Sequence, residues 1–258
     1  MKHQQVLDKL AAREIVQAMN EDVARWTGRQ MSYRGLSHAE VERAVVPPLL
    51  ARWRCLLDDA DAPAQDVGWV ALATLLHKYG FQDGAVTTGA LASVDGLNRR
   101  VVLSDAFERQ SPAIKALLRS APTPLTRRPR SPRTVTFLRP GDVVSVRLAG
   151  RFHAAFVHEL HGANEFPVIE FYAGSFSRAP TMAQLADRPA ARAGGRARFG
   201  VVGLTYLPDP ARQVVALASG HSQAPYGDGP QAGDGLWTLT DIIELPQVTA
   251  GLFDADRE

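Results

Sequence analysis

TVTFLRPGDVVSVRLAGRFHAAFVHELHGANEFPVIEFY, residues 134–172, alternates apolar and polar side chains in the manner of β-strands separated by tight turns. Val135 and Phe137, then Val144, Val146 and Leu148 beyond a Pro140-Gly141-Asp142 turn, are expected on one face. Ala149-Gly150 marks the next reversal, and Phe152, Ala154 and Phe156 continue the alternation. Gly162-Ala163-Asn164 is a further turn, and Val168-Ile169-Glu170-Phe171-Tyr172 supplies another strand rich in branched and aromatic residues. These features predict a β-rich domain, either barrel-like or a strongly twisted sheet.

The residues before this stretch follow a different period. Val6 to Trp26 places apolar residues at helical spacing. Ser37-His38-Ala39-Glu40 has the form of a capping box, in which hydroxyl and carboxylate satisfy the first free amides of a helix. Pro47-Pro48 is expected to kink or restart that helix before Leu49 to Leu57, because neither nitrogen can donate. Val67 to Tyr79 reads as a third helix closed by Gly80. Asp95-Gly96 lies between two short apolar runs, which predicts a short hairpin within Val86 to Leu103. Ser104-Asp105 and Ser111-Pro112 read as two successive helix starts. The fold class expected is therefore α+β, with a mostly helical domain over residues 1–120 and a β-rich domain over 134–258.

Between them, residues 121–133 (APTPLTRRPRSPR) read as an exposed connector rich in proline and arginine. Arg127, Arg128, Arg130 and Arg133 in this tract are the candidate contacts for nucleic acid. Later, Thr181 to Leu185 suggests a short helix. Strands are expected at Phe199 to Tyr206, Gln213 to Ala218 and Leu236 to Leu239, with long loops at Pro189 to Arg196 and Gly220 to Gly235.

Composition narrows the function classes. A chain of 258 residues that is 45% hydrophobic and 22% charged is that of a folded protein. No apolar run reaches the roughly 18 residues needed to span a bilayer, and acidic residues stand where a signal peptide would have its apolar core. No membrane association and a cytoplasmic location are expected. Cys55 alone cannot form an internal disulfide or a thiolate zinc site, and its apolar helical surroundings predict an inert thiol. Residues 1–133 carry 19 Lys and Arg against 14 acids, and residues 134–258 carry 10 against 13, with no lysine. The second domain is therefore poorly equipped to grip phosphates, although Phe152, Phe156, Phe171 and Tyr172 could stack on bases. Nucleic acid is the less favoured partner.

His153, His158 and His161, with Glu159, form the nearest thing to a metal or acid-base constellation. Strand alternation splits them, placing His153, Glu159 and His161 on one face and His158 on the other. His158-Glu159-Leu160-His161 is also one residue short of the helical zinc motif. The chain lacks a Gly-x-Ser-x-Gly elbow and a Walker loop. No cofactor and no metal are expected, and a metal-dependent hydrolase is the least favoured alternative.

Arg139-Pro140-Gly141-Asp142-Val143-Val144-Ser145-Val146 with Leu148 and Gly150-Arg151-Phe152 resembles the opening of the Imm26-type immunity proteins of bacterial polymorphic toxin systems. Val168 to Tyr172, Thr181 to Leu185, Phe199 to Leu204, Leu236-Trp237-Thr238-Leu239 and Glu244-Leu245-Pro246 follow in that family's order, so the resemblance covers about residues 134–248. It implies a cytoplasmic, non-enzymatic protein that binds and blocks a cognate toxin, and it gives no account of the helical domain. His153, Glu170, Tyr172 and Trp237 are the candidate toxin contacts, chosen for expected exposure and aromatic content.

Overall fold

The computed structural model describes residues 1–131, 133–192, 197–221, 224–225 and 237–253, and the chain divides into two compact units, Met1–Pro132 and Arg133–Glu258. No helix among the described residues is long and apolar enough to cross a membrane.

Unit one is helical: α1 (His3–Leu7), α2 (Arg13–Gln30), α3 (His38–Asp59), α4 (Ala62–Lys78), α5 (Gly84–Arg99) and α6 (Asp105–Arg119). The expected run from Val6 to Trp26 is two helices, because Ala11 adopts a left-handed φ of 50° and breaks the path. The capping box forms as expected: Ser37 accepts from the Glu40 amide at 3.4 Å, and Glu40 accepts from the Ser37 amide at 2.8 Å.

Of the expected kink or restart at Pro47 and Pro48, the restart does not occur: both lie inside α3. Pro48 cannot donate to the Ala44 carbonyl, and the Trp26 indole N–H donates to that oxygen instead, at 3.0 Å. Burial of Val45, Val46, Leu49 and Trp53 on either side of the prolines holds the helix against the core. Pro112 is likewise internal to α6, so Ser111-Pro112 is not a second start.

The expected Asp95-Gly96 hairpin is absent, and α5 runs through it. Val86, Ala90, Ser93, Val94 and Leu97 are buried at helical spacing, and Asp83 caps the helix by accepting from the Val86 amide at 2.9 Å. Gly96 serves packing rather than a turn, since a Cβ there would lie 2.6 Å from the Asp66 carboxylate of α4, which is paired with Arg100. After α4, Gly80 takes a φ of 87° and the Phe81 amide reaches back to the Leu76 carbonyl, the expected C-terminal stop.

Unit two is built on an open mixed sheet of six strands among the described residues, not a closed barrel. The strands are β1 (Val143–Leu148), β2 (Arg151–His161), β3 (Phe166–Phe171), β4 (Arg198–Val202), β5 (Val214–Ala218) and β6 (Thr238–Asp241), in the order β5-β1-β2-β3-β4-β6. Only the β4–β6 pair is parallel. A 3-10 turn (Met182–Gln184) and a short helix α7 (Leu245–Val248) complete it. Gly162, Ala163 and Asn164 all have positive φ, which makes the β2–β3 reversal. The buried Asp209 carboxylate accepts from the Ala211, Gln213 and Val214 amides and so positions the start of β5.

Val135 and Phe137 depart from the expected alternation. They belong to no strand and are 56% and 57% exposed, while Thr136 and Leu138 are buried in their place. The Thr136 hydroxyl donates to the Leu204 carbonyl at 2.9 Å, so a polar side chain satisfied by backbone takes the inner position. Parts of the expected loops, residues 193–196, 222–223 and 226–236, lie outside the described residues, as does Leu236 of the expected last strand.

Candidate functional site

The antiparallel register puts Phe156 opposite Glu170 and Glu170 opposite Arg198, so the centre of one sheet face carries a carboxylate flanked by an aromatic and a guanidinium. A bulge between Val157 and Glu159 leaves His158 as the extra residue of β2. The His158 Nε2 lies 2.7 Å from Glu170 Oε2, while Arg198 Nε lies 3.3 Å from Glu170 Oε1. The three side chains are between 5% and 8% exposed, so a line of ionisable groups crosses β2, β3 and β4 almost out of water.

Burial by itself raises the Glu170 carboxyl. The hydrogen bond from His158 and the charge of Arg198 outweigh it and hold the group below the ordinary carboxylate range. Tyr172 lies on the same face, and burial followed by the Glu170 charge pushes its phenol up to about 12. It packs with Val143, Ala154, Phe156 and Leu185 in a small apolar cluster. Both carboxylate oxygens are therefore engaged, and the arrangement ties β2, β3 and β4 together in one register.

His153 belongs to the opposite face. Its ring stacks on Phe253 with centroids 3.9 Å apart, and its Nδ1 lies 3.3 Å from the Gly174 carbonyl oxygen. Burial lowers its pKa, the Gly174 bond partly offsets this, and Arg151 adds to the lowering. The expectation that His153, Glu170 and Tyr172 offer an exposed binding surface is thus overturned, since they are 4%, 4% and 2% exposed. Their alternating, polar-looking positions lie in a sheet whose two faces are both covered, so alternation did not separate inside from outside here.

His161 lies apart from His153 and His158, at the end of β2 against Phe166 and Trp237, with centroids 5.4 and 5.2 Å away. The three histidines do not converge, and no group of three metal-ligating side chains occurs among the described residues. Trp237 is half-buried, and its ring lies against Gly200, where a Cβ would come within 2.5 Å of the indole. Beside it on β6, at the end of the sheet, Leu239 is 59% exposed. The Gly200→Ala variant should be destabilised by about 1–3 kcal/mol through overpacking, with a shift in tryptophan emission. Unchanged urea unfolding of unit two would contradict that packing.

Arg127, Arg128, Arg130 and Arg133 are all exposed. Their tract is not a free tether, because Arg128 and Pro129 lie against Gly28 of α2, and Thr123 to Leu125 lie against Gly80. Cys55 is buried, as its surroundings suggested. Comparison of the chain with protein-family models, curated proteins and solved structures gives no match. Arg198 and Phe166 are the site residues that sequence reasoning missed. The turn at Gly162-Ala163-Asn164 was the available signal for Phe166, as it places that residue opposite His161.

Proposed function

We propose that the chain is an immunity-type protein that neutralises a bacterial toxin domain by direct contact through its sheet unit, acting as a binding surface and not as an enzyme. The observation that carries this reading is the apolar surface at the end strand β6, where the half-buried Trp237 adjoins the exposed Leu239. An aromatic anchor next to exposed aliphatic surface is the composition of an interface hot spot. Support also comes from the pieces that carry the family resemblance. Their described residues fall in or next to β1, β2, β3, the 3-10 turn, β4, β6 and α7, all within one unit. With Glu170, Tyr172 and His153 inside, contact moves to Trp237 and Leu239.

Co-purification of the tagged chain from its native host, with mass spectrometry of the bound material, tests the reading. A stoichiometric toxin-like polypeptide is expected, released by Leu239→Glu, and cells expressing that polypeptide should survive only when the chain is present. Recovery of nucleic acid with a steep salt dependence, lost on neutralising Arg127, Arg128, Arg130 and Arg133, would replace it with the nucleic-acid reading.

A further inference from the structure

The helical unit contains a cavity of about 490 Å³ between α1, the start of α2 and the end of α4. That is within the size range of small-molecule sites. Leu7, Ala11, Ala12 and Val16 give it an aliphatic wall, and Lys78 and Asn20 give it a polar end.

Lys78 is half-buried, and its Nζ donates to Asn20 Oδ1 at 3.0 Å and lies over the Tyr79 ring. The same Asn20 oxygen accepts from the Tyr79 hydroxyl at 3.2 Å, which leaves the Asn20 amide nitrogen as a donor for a guest. No carboxylate pairs with Lys78 among the described residues, and burial lowers its pKa. The carboxyl end of α4, of which Lys78 is the last residue, favours its positive charge.

Two further features belong to the same wall. Ala11 holds the left-handed conformation that glycine would adopt without strain, and strained positions of this kind gather at ligand sites. Ala12, just before α2, provides no side-chain cap, so amides of the helix's first turn at the cavity keep donor capacity that a serine or aspartate would have used. Arg13 at the rim adds a second positive charge against the single Asp8.

We infer that this cavity binds a small molecule with one anionic headgroup and a short aliphatic body, the headgroup at Lys78 and Asn20 and the body along Leu7 and Val16. The pairing supplies Lys78 with the counter-charge that the fold does not, and it covers apolar wall with apolar ligand.

Sodium octanoate is the probe. Titrated calorimetrically into the full chain, it should bind at one site per chain. Lys78→Met should weaken binding at least about tenfold, equivalent to 1.4 kcal/mol. Lys78→Arg should retain it, and Val16→Trp, which fills the cavity, should abolish it with the helical circular dichroism unchanged. Octylammonium, with the same body and the opposite charge, should not bind. Absence of saturable octanoate binding, undiminished binding to Lys78→Met, or equal affinity for octylammonium would overturn the assignment. If Val16→Trp does not fold, the two lysine variants still decide it.

Discussion

Replacing Glu170 by glutamine should destabilise the sheet unit by about 3–5 kcal/mol, because it removes the negative charge that the buried His158 and Arg198 side chains share. Chemical unfolding followed by a signal from unit two measures this. A triple variant, Glu170→Leu with Arg198→Met and His158→Leu, removes the whole polar line at similar volume and should recover most of the loss. Buried ion pairs often contribute little compared with packed apolar side chains, whereas half of one is costly. If the single variant is as stable as the wild type, the polar line does not tie the strands together.

The pH dependence has a definite sign. The folded-state pKa of Glu170 is depressed, so its stabilising contribution is complete above the ordinary carboxylate value of about 4.3. It disappears as the pH falls through the folded value. The wild-type sheet unit should therefore weaken on acidification below that point, and the triple variant should lack this component of the slope.

Trp53→Ala should be the most damaging single change in the helical unit, costing about 3–5 kcal/mol. Trp53 is completely buried in α3, and its indole N–H donates to Asp22 of α2 at 3.1 Å. Asp22 also accepts from Arg25 at 2.8 Å and lies 3.5 Å from Arg52, which places the tryptophan at the junction of the core and a buried ionic cluster. Trp53→Phe keeps much of the packing and removes only the N–H, so its loss should be nearer about 1–2 kcal/mol. The two variants, compared by thermal unfolding in far-ultraviolet circular dichroism, separate cavity from hydrogen bond. Equal losses would mean that the polar contact dominates.

Much of the fold was legible in the chain because it depends on neighbours close in sequence. The Ser37–Glu40 box, the Gly80 stop, the turn at Gly162-Ala163-Asn164 and the period of β1 to β3 are local solutions to unsatisfied amides and to side-chain spacing. The division into a helical part and a β-rich part follows from the same periods. Where the local signals misled, a distant residue had changed the energetics. Trp26 supplies the bond that Pro48 denies to Ala44, which lets α3 continue, and the close approach of Asp66 gives Gly96 a packing role where Asp-Gly suggested a turn.

The candidate site depended still more on tertiary structure. The pairing of β2 with β3 shifts by one residue between Val157 and Glu159, beside the contact of His158 with Glu170; one inserted residue in one strand is invisible to a period count. Sequence alternation could name His153, Glu170 and Tyr172 as polar or amphipathic strand positions, but not that both sheet faces bury them. The chain's own order of residues determined most of the helices, strands and turns, since backbone hydrogen bonding and side-chain period act over a few residues, but not the course of α3 through its prolines or of α5 through Asp95-Gly96. Only the tertiary structure decided which of those side chains meet, which are dry and where a cavity opens, because burial and electrostatics are set by groups far apart in the chain.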